Sequence, residues 1–160
     1  MYRNVNDFIS EWRNNSNGTI SIFEAVSEEK KGFEIVEGHN SLEWISWHLT
    51  NSPAYFIGQI GLELEVKLNP TQVPPSMTEI TNAYKAVSEN IIKVVKEKLN
   101  NEALLNEVDS HGQPTPIGAL LRAMVDHQTH HRAQMQVLLR QAGLPVPGVM
   151  GPTKEALSSK

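Results

Sequence analysis

An all-α fold, an antiparallel four-helix bundle with long crossover connections, is what three features of this 160-residue chain predict. Apolar residues recur at steps of three and four over four separate stretches, the spacing of one helix face. Clusters of Gly, Pro and Asn punctuate those stretches. Period-two alternation, the mark of a half-buried strand, is nearly absent. No internal repeat or low-complexity segment interrupts the pattern. Residues 1–160 read as a single domain, long enough to bury a core without staples.

The first helix runs from about Val5 to Ser27, with Val5, Phe8, Trp12, Ile20 and Phe23 roughly in phase. Its middle, Asn14-Asn15-Ser16-Asn17-Gly18, has poor helix propensity. The apolar register survives across that stretch, which favours one continuous, weakened helix. Lys30 to Asn40 is a connection in which Phe33, Ile35 and Gly38 suggest a short extended piece. Asn40 or Ser41 is a reasonable N-cap for a second helix reaching about Gly61. Pro53 lies well inside it, removes one backbone hydrogen bond and clashes with the carbonyl of Leu49. A kink or a restart is therefore expected one turn beyond His48.

Gly61 to Pro75, with Pro70, Pro74 and Pro75, reads as a loop long enough to cross one end of the bundle. Ser76 and Glu79 then form a capping box. The third helix places Ile80, Tyr84, Val87, Ile91 and Val94 on one face and lysines on the other, and stops near Asn100-Asn101. Glu102 to Thr115 is a second crossing segment, with a short strand or helical turn around Leu104 to Val108. For the fourth helix Thr115 is the expected cap and Pro116 the first helical residue, where its missing N–H costs little. Gly143 ends that helix, and Pro145 and Pro147 bar its continuation. One more helical turn is expected at Lys154 to Leu157.

Composition excludes several function classes. The chain has no cysteine, which removes disulfides, thiolate metal sites and thiol nucleophiles and suits a cytosolic protein. The opening MYRNVNDF lacks the basic-then-apolar pattern of a signal peptide, so a cytoplasmic location is expected, and no apolar run approaches a membrane span. The net charge of -4 and dispersed basic residues argue against a nucleic-acid partner. The densest basic group, Lys93, Lys96 and Lys98, reads as a solvated helix face.

Chemistry concentrates on histidine. Along the fourth helix the apolar stripe runs Ile117, Leu120, Met124, then His127, His131, Met135, Leu138 and Ala142. An imidazole on a core stripe loses hydration that hydrogen bonds or a metal bond must replace. Residues four apart stand side by side, so two nitrogens can converge on one cation, or simply pack and hydrogen-bond. His48 lies on the second helix in register with Trp44, Ser52 and Tyr55. If the second and fourth helices are neighbours, His48 completes a three-nitrogen set with one open position, the pattern of a catalytic metal site. His130 is rotated from the stripe and four residues from Asp126, which suits a solvent-facing or supporting role. His39 and His111 fall in loops and read as surface residues. A zincin is excluded, because Gln128 occupies the place of its glutamate base. Di-iron bundles are excluded too, since no Glu-x-x-His occurs. A nitrogen-rich site for zinc, nickel, iron or manganese is preferred.

The string Asp126-His127-Gln128-Thr129-His130-His131-Arg132-Ala133-Gln134, followed by Leu138-Leu139-Arg140-Gln141-Ala142-Gly143-Leu144-Pro145, resembles the closing helix of the DinB superfamily, including the YfiT-like metal-dependent hydrolases. That group carries H-x-x-x-H-R-x-Q there, and Ser41 to Leu49 is similar to its second helix. The resemblance spans about residues 5 to 150. It has nothing to do with the error-prone DNA polymerase of the same name. It implies a four-helix bundle, usually homodimeric, with a divalent cation held by His48, His127 and His131. Ala133 departs from the glycine common at that position.

The expected function is that of a metal-dependent enzyme acting on a small-molecule substrate, thiol S-transferase-like or hydrolase-like. A low-molecular-weight thiol would have to come as a cosubstrate, as the resemblance to thiol-dependent members implies. Tyr55, Asn51 and Gln134 are candidates to orient water or substrate, or are packed polar residues. Pro53 and the Pro-rich tail are candidate walls of the pocket mouth, and no catalytic general base stands out. The alternatives are a non-catalytic metal-binding stress or sensor module, and a metal-free bundle with packed histidines. Trp44 and Trp47 cannot both face one core, which leaves one for an interface or for solvent.

Overall fold

Three short polar side chains start three of the four long helices. Asn4 accepts from the Asn6 amide at 2.8 Å and opens α1 (Val5–Glu24). Ser41 accepts from the Trp44 amide at 3.2 Å and opens α2 (Leu42–Gln59). Ser76 accepts from the Glu79 amide at 3.2 Å and opens α3 (Met77–Lys98), as the capping box requires. Each supplies an acceptor to an amide that has no partner within its helix. The computed structural model describes residues 1–158. It adds α4 (Ile117–Gln141), a short α5 (Lys154–Ser158), a 3-10 turn at Ala103–Leu105, and a hairpin of β1 (Glu107–Ser110) and β2 (Gln113–Pro116).

The predicted cap of α4 differs. Thr115 and Pro116 belong to β2, paired with Val108 and Glu107 of β1, and no side chain caps the helix. Cross-strand pairing holds Thr115 extended, and Ile117 N–H is satisfied by the Asn106 carbonyl at 2.9 Å. At the other end Gly143 adopts φ 73°, and Leu144 N–H returns to the Leu139 carbonyl at 2.8 Å, the reversal that glycine favours. The extended piece expected around Phe33 to Gly38 is instead a chain of turns. It is closed by Leu42 N–H to the Phe33 carbonyl at 3.1 Å.

The four-helix bundle is up-down-down-up. The antiparallel pairs are α1 with α3 and α2 with α4, as shown by Trp12 on Ser88 and Val5 on Asn101, and by Ser46 on Met135 and His48 on His127. The pair α1 and α4 runs parallel, with Tyr2 on Gly118 and Asn15 on Thr129. Because α2 and α3 point the same way, the segment between them runs along the flank of the bundle rather than across one end. Buried Asn90 of α3 anchors it, accepting from the Glu65 amide at 2.7 Å and the Val66 amide at 3.2 Å.

Two apolar clusters fill the interior. One gathers Phe8, Trp12, Ile57, Ile91, Leu121 and Met124; the other gathers Phe23, Leu42, Leu49, Ile80, Tyr84 and Met135. Between them lies a belt of buried polar contacts. Trp12 Nε1–H donates to Ser88 Oγ at 3.0 Å. Arg132 donates to the Asn15 carbonyl at 2.8 Å and to Asn15 Oδ1 at 3.1 Å, while Asn15 Nδ2 donates to Thr129 Oγ1 at 3.1 Å. These contacts explain why α1 passes unbroken through its poor helix formers. Asn15 is a tertiary partner, and a Cβ at Gly18 would collide with Val149.

Pro53 sits inside α2 and leaves the Leu49 carbonyl without its helical donor. Gln128 fills the gap: its Nε2–H donates to Leu49 O at 2.9 Å, and its Oε1 accepts from Tyr84 OH at 2.9 Å. All three residues are fully buried. Replacing Gln128 by Leu orphans a carbonyl and a hydroxyl, at about 1–3 kcal/mol each. Urea unfolding of Gln128→Leu should therefore show a loss of about 2–6 kcal/mol, and Tyr84→Phe a smaller one.

Candidate metal centre

His48 comes from α2, and His127 and His131 from consecutive turns of α4. Packing of α2 against α4 brings the three rings together, with centroids 5.0 Å apart for His48 and His127, 4.7 Å for His48 and His131, and 4.5 Å for His127 and His131. Each offers one ring nitrogen within 4.8 Å of the others, and each is half-buried. His48 Nε2 and His127 Nε2 stand 3.2 Å apart. A tetrahedral cation with metal–nitrogen bonds of 2.0–2.1 Å separates its ligand atoms by about 3.3 Å. That pair therefore already has the spacing of two ligands on one ion, and the donor set fits a divalent metal.

The surroundings orient the rings. His131 Nδ1–H donates to Gln134 Oε1 at 2.7 Å, which leaves Nε2 as the lone-pair nitrogen. The Gln134 amide in turn donates to His130 Nε2 at 3.3 Å. Trp44 stacks on His48, centroids 5.2 Å apart and 12° from parallel. Phe56 lies 5.6 Å from His127 and provides an apolar wall. His127 Nδ1 is buried without a partner. Burial pushes the His127 pKa down to about 4, helped by the charges of His131, His48 and His130. Burial lowers His48 as well, followed by the charge of His131. Both are neutral at pH 7, the state in which imidazole binds a metal.

The other expected residues divide by location. Tyr55 and Asn51 line a cavity that His48 also borders, whereas Gln134 holds ring nitrogens of His131 and His130. Asp126 pairs with Arg122 at 2.6 Å and not with His130. His39 lies on a different, exposed rim. His111 is exposed at the hairpin tip, yet its Nε2 meets Tyr55 OH at 2.6 Å. Sequence reasoning had no signal for that contact, since 56 residues separate the partners. Trp44 resolves the tryptophan question: Trp47 is buried, while Trp44 is exposed on one side and covers His48 on the other. The cavity wall opposite α2 comes from the α2–α3 segment. The Pro-rich tail instead sets Val146 and Val149 against the second apolar cluster.

Fold and site together define a helical bundle with a three-histidine cluster between two antiparallel helices. Residues 1–159 match the DinB family, and the chain belongs to it. It is 30% identical over 155 residues to the YrdA protein of Bacillus subtilis strain 168, described as uncharacterized, covering 97% of this chain and 93% of that one. A DinB-like protein from Bacillus cereus ATCC 10987 of known crystal structure superposes with a TM-score of 0.88 at 31% identity, over 93% of this chain and 99% of the other. The crystal structure of the DinB-like YjoA protein of Bacillus subtilis, at 23% identity and a TM-score of 0.72, covers 92% of this chain and 99% of its own, and shares the fold. Among the described residues no helix is long and apolar enough to cross a membrane.

The lowered His127 pKa has a defined consequence for the metal-free protein. Above about pH 6.5 the ring is neutral folded or unfolded and contributes no pH dependence. Between 6.5 and about 4 the unfolded chain takes up a proton that the folded chain refuses, so stability falls with falling pH. Below about 4 both states are protonated and the loss levels off. Urea midpoints measured from pH 8 to 4 should show this limb in the wild type and a flatter one in His127→Asn.

Proposed function

We propose that this protein binds one divalent cation through His48, His127 and His131 and uses it to act on a small molecule, as a thiol S-transferase or a hydrolase. The observation that carries the reading is the 3.2 Å approach of two Nε2 atoms from different helices, with a third ring nitrogen beside them. Family membership supports it, as does the neutral state of His48 and His127. A cation held by three neutral ligands supplies undiminished positive charge, which lowers the pKa of a water or low-molecular-weight thiol at the remaining position.

The chain's own side chains do the rest. Gln134 keeps the His131 proton on Nδ1, so Nε2 faces the other two rings. Trp44 and Phe56 shield two of the rings from water, which strengthens electrostatic interactions beside them. Tyr55, bonded to His111, offers a hydroxyl on the rim beside His48. The three histidines come from one chain, and a homodimer is part of the same proposal by family analogy.

Untagged protein titrated with zinc, nickel, iron(II) or manganese should bind one ion per chain by calorimetry, and His48→Ala, His127→Ala and His131→Ala should each lose at least a hundredfold in affinity. The metal-loaded protein should then conjugate a small thiol to monobromobimane or hydrolyse p-nitrophenyl acetate, and His48→Ala should do neither. Tight metal binding without turnover in either assay assigns a non-catalytic sensor or storage role. No metal binding overturns the proposal. Gln134→Ala, which frees the His131 ring to rotate, should weaken metal binding about 10–100-fold while leaving the unfolding midpoint of the metal-free protein nearly unchanged.

A further inference from the structure

The segment joining α2 to α3 lies along the bundle flank and borders a half-open cavity of about 450 Å³ against α2, within the range of small-molecule sites. One wall is apolar: Leu64, Val66, Leu68 and Pro70 of the segment, with Val87 of α3. The facing wall is the side of α2 that carries His48, Ser52 and Tyr55. His48 therefore belongs both to the histidine cluster and to this cavity.

Ser52 belongs to the α2 wall. Its helix neighbours satisfy their polar groups locally: Ser46 donates to Leu42 O, Thr50 to Ser46 O and Asn51 to Trp47 O, each at 2.8 Å. Ser52 Oγ is buried and has no partner. At the rim, Tyr55 OH is held by His111 Nε2, which docks the hairpin tip on α2 beside the opening.

We propose that this cavity binds the apolar arm of the substrate or cosubstrate whose anionic head is held at the three histidines. The ligand class is thus an amphipathic small molecule: a thiolate or carboxylate head on an aliphatic or aryl arm. The inference rests on the metal-site reading, because the head needs the cation. It adds that specificity resides in the α2–α3 segment, whose placement depends on Asn90.

The test uses the full chain loaded with cobalt(II), whose visible spectrum reports a ligand at the metal, and a series of straight-chain thiols from ethanethiol to hexanethiol. Ethanethiol tests the head alone. Each further methylene entering the cavity should tighten binding about fourfold until the space is filled. Val66→Phe, which fills the cavity, should abolish the chain-length gain while leaving metal and ethanethiol affinity within about twofold. Leu68→Trp, judged by its circular dichroism to be folded, provides the same test should Val66→Phe not fold. Ethanethiol binding with no dependence on chain length, or a chain-length gain that survives both filling variants, overturns the cavity proposal and leaves the metal reading intact. Failure to bind cobalt overturns both.

Discussion

The hydrogen bond from Gln128 Nε2 to the Leu49 carbonyl sets the relation between the two helices that carry the histidines. Its two ends are the chain neighbours of His127 and His48. A shift of α2 against α4 by one helical residue, about 1.5 Å, is large beside the 3.2 Å gap between the two Nε2 atoms. The bond exists because Pro53 cannot donate to Leu49. A local defect in α2 thus becomes the point at which α4 is registered against it. Tyr84 secures the other end of Gln128 and brings α3 into the same contact.

This contact is one member of a polar belt that divides the core into two apolar clusters. Apolar packing tolerates small slides, because its energy depends on buried area and not on direction. Hydrogen bonds between buried groups do not, since a slide leaves donors and acceptors unpaired. Arg132 on Asn15, Trp12 on Ser88 and Gln128 on Leu49 therefore fix the bundle at the level where the histidines stand. Half-buried imidazoles at the edge of that belt, His48 and His127 among them neutral, are held close together, which is the condition a nitrogen-rich metal site needs.

The topology adds the second element. Parallel α2 and α3 require a connection that travels the length of the bundle, and that connection covers the exposed side of α2. The space it leaves adjoins His48. The helix order that places α2 beside α4 for the histidines also places the α2–α3 segment beside the same site.

Most of the architecture was legible in the chain. The helix-period stripes, the Ser76 box and Gly143 defined the four helices, and the His127/His131 pair stood out because an imidazole interrupts an apolar stripe. These are local signals, written within a few residues. The register of His48 on the second helix made it their candidate partner, and the resemblance of two short strings supported that assignment. The start of α4 was misread because Thr115 and Pro116 obey local capping rules, whereas cross-strand pairing with β1 overrides them. The polar stretch in α1 looked like a weakness because its partner, Arg132, lies 117 residues away. Residue chemistry and period alone determined which segments are helical and which side chains can hold a cation. Only the tertiary structure decided that three nitrogens meet, that Gln128 is a brace and not a lost base, and that His111 reaches Tyr55. Those facts depend on distances between helices, and a distance across the bundle leaves no trace in the order of residues along it.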